Sequence, residues 1–216
     1  MAYKVAVFDL DGTILNTLQD LTNAVNYALE KNGYPTRDIE EIRFFLGNGL
    51  KVLIDKAVPE GTSPEKTAQV LLDMTVYYKA HSMDFTAPYP GIIELLQKLR
   101  AAGVKTAVVS NKIDEAVQNL VKDVFTGLFD AALGESENIA RKPAPDMTWH
   151  VLKKLGYETE DAVYIGDSDV DIQTARNSGL DEIIVDWGFR ERKLLEEAGA
   201  KRIVSTTEEV YRIITE

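Results

Sequence analysis

Cysteine is absent from this chain of 216 residues, and histidine occurs only twice, at His81 and His150. Without thiols there can be no disulfide, no thiolate nucleophile and no cysteine-held metal, so a metal would have to sit on oxygen or imidazole, with oxygen favoured. Positive charge is also scarce: 24 Lys and Arg stand against 35 Asp and Glu, a net charge of −11. That balance argues against a nucleic-acid partner, which needs a basic face. It argues equally against an anionic membrane surface, while leaving room for a local basic pocket around a small phosphate. No apolar run reaches the about 18 residues of a membrane span, and no basic-then-apolar leader with a small-residue cleavage site is seen. The expected location is the cytoplasm.

What remains is ordinary for a globular protein, with 45% hydrophobic and 27% charged residues. The length suits one large domain or two small ones. Apolar patterning predicts strands at Tyr3–Phe8, Val104–Val109, Phe129–Ala132, Ala162–Ile165, Glu182–Val185 and Arg202–Val204. Several are apolar at consecutive positions, as parallel strands covered on both faces are. Helical periodicity lies between them at Ile92–Ala102, Ile113–Val124, Asp146–Leu155, Asp169–Ser178 and Arg190–Ala198, with Gly103, Gly156, Gly179 and Gly199 after four of these as C-terminal caps. The alternation implies an α/β fold built on a doubly wound parallel sheet. From Thr17 to Met83 the rhythm breaks and only helices are legible. Leu18, Leu21, Val25 and Leu29 recur at helical spacing, and Ser63-Pro64-Glu65 reads as a helix start. The expected division is therefore a core of residues 1–15 and 89–216 with a small helical domain inserted at 16–88.

Four short segments fall at the ends of predicted core strands or before a core helix. They are Asp9-Leu10-Asp11-Gly12-Thr13, Ser110-Asn111-Lys112, Arg141-Lys142-Pro143-Ala144-Pro145 and Gly166-Asp167-Ser168-Asp169-Val170-Asp171. In a parallel sheet they converge on one crevice. Carboxylates crowded there repel, and one would take a proton unless a cation intervened. Magnesium suits an all-oxygen site that retains waters and a substrate phosphate. Lys142 would offset the remaining charge and attract a phosphoryl group, and Ser110 and Asn111 would donate hydrogen bonds to its oxygens. A carboxylate beside such a metal can attack phosphorus and form an aspartyl phosphate that water then hydrolyses. Asp11 is spaced to protonate the leaving oxygen and later deprotonate the water.

In this order the four segments resemble the motifs of the haloacid dehalogenase-like phosphohydrolases, over nearly the whole chain. The helical insert resembles that family's small cap domain. Pro90-Gly91, Ser110-Asn111-Lys112 and Asp186-Trp187-Gly188-Phe189-Arg190 further resemble the phosphoglycolate phosphatase branch. The resemblance implies Asp9 as nucleophile, Asp11 as general acid–base, and Ser110 and Lys142 as holders of the phosphoryl group. It implies magnesium on the Asp9 carboxylate, the Asp11 backbone carbonyl and Asp167, with Asp171 supporting them from behind. Its implied partner is a small phosphorylated metabolite, and it sets no oligomeric state. Asp11 argues against true dehalogenase activity, since that branch lacks the second acid, and Asn16 departs from the Asp common after this motif. On the same core, the alternatives are hydrolysis of pyrophosphate, a nucleotide or a phosphonate, or a sugar-phosphate mutase. A receiver-like phospho-accepting module also combines acids, a hydroxyl residue and a lysine, but needs neither the insert nor Asp11.

Other residues read two ways. Gly47-Asn48-Gly49 is either a loop that meets the leaving group or a turn between two helices. Lys51 is a Schiff-base lysine or a solvated one, with the latter expected. Ser110 and Asp169 each suit a helix start taken alone. His81 and His150 are expected to be structural or superficial, and Trp187 and Phe189 to pack beside the crevice. Arg190 could reach a substrate carboxylate.

Overall fold

The computed structural model describes residues 2–216. In chain order, β1 (Val5–Phe8) and β2 (Leu15–Asn16) precede four helices, α1 (Leu18–Lys31), α2 (Ile39–Phe45), α3 (Gly49–Ala57) and α4 (Pro64–His81), and then β3 (Ala87–Pro88). Helices and strands alternate from there: α5 (Ile92–Ala101), β4 (Lys105–Ile113), α6 (Asp114–Val124), β5 (Ala131–Glu135), α7 (Asp146–Leu155) and β6 (Ala162–Gly166). The chain closes with α8 (Asp169–Ser178), β7 (Asp181–Val185), α9 (Arg192–Glu197), β8 (Ile203–Val204) and α10 (Thr207–Thr215). Two compact units result, one running up to Leu15 and resuming over Pro88–Glu216, the other Asn16–Ala87.

The first unit is the expected doubly wound α/β sheet. Its six strands run β5-β4-β1-β6-β7-β8, every neighbouring pair parallel. The sequence Val5-Ala6-Val7-Phe8 makes a central strand because it is apolar on both faces, and all four side chains are buried. Ala6 and Phe8 pack in the layer of Leu95, Leu99, Val117, Val210 and Ile214. Val5 and Val7 face the opposite layer, with Met147, Val151, Leu152 and Ala175. Helices therefore cover both faces. The chain winds outward from β1 to β4 and β5, then crosses back to β6, so β1 lies at the topological switch point. The carboxyl ends of β4, β1 and β6 open there into the crevice where such sheets bind ligands.

Some boundaries differ from expectation. β4 continues beyond Val109 through Ser110, Asn111 and Lys112 to Ile113, with a register shift against β5. β5 begins at Ala131 because Phe129 is spent on packing edge-on against Phe8 and Phe125. α9 begins only at Arg192, and α10 is an additional amphipathic helix that buries Val210 and Ile214.

The second unit holds α1–α4. α1 buries Leu18, Leu21, Val25 and Leu29, the residues whose spacing foretold it. Ser63 caps α4 by accepting from the Lys66 amide, with Pro64 at the first helical position. Two carboxylates organise the interior. Asp20 accepts from the Phe85 and Thr86 amides and the Thr86 hydroxyl, pinning the segment after α4 to α1. Asp73 accepts from Lys31 Nζ and Asn32 Nδ2, and those donors hold its carboxyl below the usual range. Lys51 is solvated and paired with Asp55, whereas His81 is half-buried, stacked on Tyr77 and bonded to Asp84. In the sheet-containing unit, His150 is exposed on α7. Among the described residues, no helix is long and apolar enough to cross a membrane.

Candidate active site

The site is built where apolar strands end and their last polar residues emerge at one edge. Asp9 follows β1 directly, its amide donating to the Ile165 carbonyl at 2.8 Å, so it is held at the β1–β6 seam. The chain then turns at Gly12, whose φ of 92° is left-handed. β6 ends at Gly166 and delivers Asp167, after which Ser168 and Asp171 form a reciprocal capping box that starts α8. Lys142 enters from the loop before α7, and the Lys142–Pro143 peptide is cis.

These residues meet. Lys142 Nζ lies 2.6 Å from Asp9 Oδ1, 2.8 Å from Asp171 Oδ1 and 3.0 Å from the Tyr164 hydroxyl, which accounts for all three of an ammonium's donors. Asp171 Oδ2 accepts from the Asp167 and Ser168 amides and the Ser168 hydroxyl. Asp167 accepts from Thr13 Oγ1 at 2.9 Å and from the Phe189 amide at 2.7 Å. Asp11 stands slightly apart, its carboxylate 3.0 and 3.2 Å from Lys112 Nζ. Ser110 Oγ accepts from the Lys112 amide, and Asn111 Nδ2 donates to the Lys142 carbonyl at 3.1 Å. The Asn111 amide is therefore engaged with backbone. Gly47 and Asn48 belong to the helical unit, at the turn between α2 and α3, and Gly47 and Gly49 both take left-handed φ there.

The electrostatics follow from burial. Desolvation, with Asp171 and Asp167 adding to it, pushes the Asp9 carboxyl well above its usual range despite Lys142. Desolvation and the neighbouring Asp171 raise Asp167 to about 7, against the pull of the Phe189 amide and the Thr13 hydroxyl. Burial pulls on Lys142 in the opposite sense, but the charges of Asp171 and Asp9 outweigh it and hold the ammonium well above its ordinary value. One carboxylate oxygen each from Asp9, Asp167 and Asp171 lies within 4.8 Å of the others. That all-oxygen, acid-rich donor set fits a hard divalent cation, which would relieve the repulsion that burial aggravates.

Several residues act differently from their isolated readings. Ser110 is inside β4 and caps nothing, because α6 starts after Ile113. Trp187 and Phe189 do more than pack: the indole N–H donates to the Thr13 carbonyl at 3.0 Å, and the Phe189 amide holds Asp167. Arg190 pairs with Asp169 at 3.5 Å. Sequence reasoning missed Lys112, Thr13 and Tyr164 as site residues. Lys112 and Thr13 were visible inside motifs, whereas Tyr164 was hidden in an apolar strand where a tyrosine reads as core.

The loop after β7 also constrains the site through Gly188. A β-carbon there would overlap the Asp167 carboxylate and lie 2.5 Å from the Gly12 carbonyl oxygen. Gly188→Ala is expected to cost about 1–3 kcal/mol of stability by overpacking and to displace Asp167. Denaturant unfolding and a magnesium titration of the folded variant check both effects, and unchanged metal response would separate the loop from the site.

Known proteins resemble this chain in sequence and in fold. A family model described as haloacid dehalogenase-like hydrolase matches residues 6–185. The curated phosphoglycolate phosphatase 1 of Pseudomonas aeruginosa is 34% identical over 203 residues, covering 90% of this chain and 74% of that protein. A crystal structure from Lactobacillus delbrueckii subsp. bulgaricus, provisionally assigned as a phosphoglycolate phosphatase, is 46% identical with a TM-score of 0.95, covering 100% and 99% of the two chains. A Haemophilus somnus structure with the same provisional assignment is 26% identical with a TM-score of 0.90, covering 98% and 97%. The chain belongs to the haloacid dehalogenase-like hydrolases.

Proposed function

We propose that the chain is a magnesium-dependent phosphatase that hydrolyses a small phosphomonoester, with 2-phosphoglycolate as the substrate its relatives' names favour. The observation that carries this reading is Asp9, a buried carboxylate fixed on Lys142 beside Asp167 and Asp171. In the scheme, an Asp9 carboxylate oxygen attacks phosphorus, and the bond from phosphorus to the leaving oxygen breaks. Asp11 gives its proton to that oxygen, and the alcohol departs. Asp11, now a carboxylate, takes a proton from water as the water oxygen attacks phosphorus. The phosphorus–Asp9 bond breaks, inorganic phosphate is released, and both acids return to their starting states.

Lys142 offsets part of the charge of Asp9 and Asp171, which eases the repulsion of an approaching phosphate, while Ser110 and Asn111 line the phosphoryl end. Asp9, Asp167 and the Asp11 carbonyl are the proposed magnesium holders. The cation, when bound, supplies charge stabilisation for the phosphoryl oxygens. The helical unit is the proposed cap domain, and Gly47 and Asn48 its proposed substrate loop.

The test is inorganic phosphate release with magnesium across 2-phosphoglycolate, pyrophosphate, sugar phosphates and nucleotides, compared as kcat/KM. A marked preference for 2-phosphoglycolate is expected. A long-lived aspartyl phosphate without turnover would instead place the chain with phospho-accepting signalling modules.

A further inference from the structure

We infer that Lys112 is the residue that selects a substrate bearing a carboxylate next to its leaving oxygen. The inference rests on the phosphatase reading above and deepens it by naming the group that distinguishes an α-carboxylated phosphomonoester from a neutral one.

Among the described residues, Lys112 and Lys142 are the two buried cations. Lys142 is committed to Asp9, Asp171 and Tyr164, on the side of the nucleophile. Lys112 is on the other side, its Nζ touching both oxygens of Asp11, the acid assigned to the leaving group. In a phosphorylated 2-hydroxy acid of the smallest kind, one CH2 separates the leaving oxygen from the carboxylate. The carboxylate oxygens therefore fall about 3 Å from the leaving oxygen. An atom that touches the acid on the leaving oxygen is within hydrogen-bonding reach of that carboxylate. The half-buried Arg190, paired with Asp169 at 3.5 Å, is the competing cation that the experiment below must separate from Lys112.

The ammonium is also held in advance. Extension of β4 past Val109 brings Lys112 to the crevice, and its amide is fixed on Ser110 Oγ at 3.2 Å. Opposite it, β5 carries Gly134, where a β-carbon would lie 2.6 Å from the Lys112 carbonyl oxygen. The Gly134 amide in turn donates to Asp114 Oδ1 at 2.7 Å. Strand packing thus fixes the backbone from which this side chain reaches, so little ordering remains for a ligand to impose. A substrate carboxylate competes with Asp11 for the ammonium, leaving Asp11 to face the oxygen it must protonate.

The experiment crosses an enzyme change with a substrate change. Wild type and Lys112→Gln are assayed for phosphate release from 2-phosphoglycolate and from its neutral amide, with circular dichroism confirming the fold. Wild type should prefer the carboxylate by about 10- to 100-fold in kcat/KM, the range of a charged hydrogen bond. Lys112→Gln should abolish most of that preference, and Lys112→Arg should restore part of it. Equal losses on both substrates would mean that Lys112 only positions Asp11 and would overturn the inference. So would a selective loss in Arg190→Gln with none in Lys112→Gln. If Lys112→Gln fails to fold, the wild-type ratio still decides, since equal rates on the two substrates exclude a carboxylate contact. Absence of phosphate release from every substrate would count against the phosphatase reading itself and is distinct from each of these results.

Discussion

Asp9→Asn should lower kcat by about five orders of magnitude, in line with the loss of an enzyme nucleophile, while the protein stays folded. The side chains are nearly isosteric, and the asparagine oxygen can still accept from Lys142. The lysine also keeps Asp171, 2.8 Å away, so its charge is not stranded. Burial disfavours the ionised form of Asp9 in the metal-free fold, which means the neutral amide also removes a destabilising element. A melting temperature at or above that of the wild type is therefore expected without metal above pH 7. Phosphate release within tenfold of wild type would sink the nucleophile assignment.

Magnesium should raise the melting temperature by about 5–10 °C at pH 8 when present well above its dissociation constant, and by clearly less near pH 5.5. The sign follows from Asp167. Its carboxyl holds a proton up to about pH 7 in the fold, against about 3.9 in an unfolded chain. Between those values the folded state binds more protons than the unfolded one. The contribution of this group to stability thus falls as pH rises from about 4 to about 7 and levels off above. A divalent cation binds only the deprotonated carboxylate, so its stabilisation grows through the same window. Asp167→Asn should lift the metal-free melting temperature at pH 8 and remove most of the magnesium shift. A shift in wild type that is equal at both pH values, or larger in acid, would show that the cation does not bind through this carboxylate.

The core was legible because its pattern is strong: short apolar runs rich in β-branched and aromatic residues and closed by turn residues, such as Val5–Phe8, read as covered strands, and Gly156 and Gly179 stop their helices where the left-handed φ shows they do. Three of the four polar segments were found for the same reason, since each interrupts an apolar pattern at its end, whereas Arg141–Pro145 lies in a polar loop before α7 and was marked by its Pro-x-Pro spacing. Local polarity misled at Ser110–Lys112, which stays extended because side-chain partners replace the water that polar residues usually seek. At Phe129 the apolar signal was real but belonged to an aromatic cluster, not a strand. Pairings across the sheet had no local signature. That Lys112 meets Asp11, or that the Trp187 indole holds the Thr13 carbonyl, depends on strand order and on loop paths that no single segment encodes.

Asp171 has a consequence for how this protein can change. One oxygen closes the first turn of α8, and the other balances the lysine on Asp9. Improving a helix start is among the commonest ways to make a protein more heat-resistant, and a glutamate at this third helical position would be the usual choice. That route is closed. Gly166 is packed so tightly on Asp171 that not even a methyl group fits between them, and a longer acid would carry its carboxylate off the Lys142 ammonium and the Asp167 and Ser168 amides. Laboratory selection for heat resistance should therefore gather its substitutions elsewhere, leaving Gly166 and Asp171 as they are.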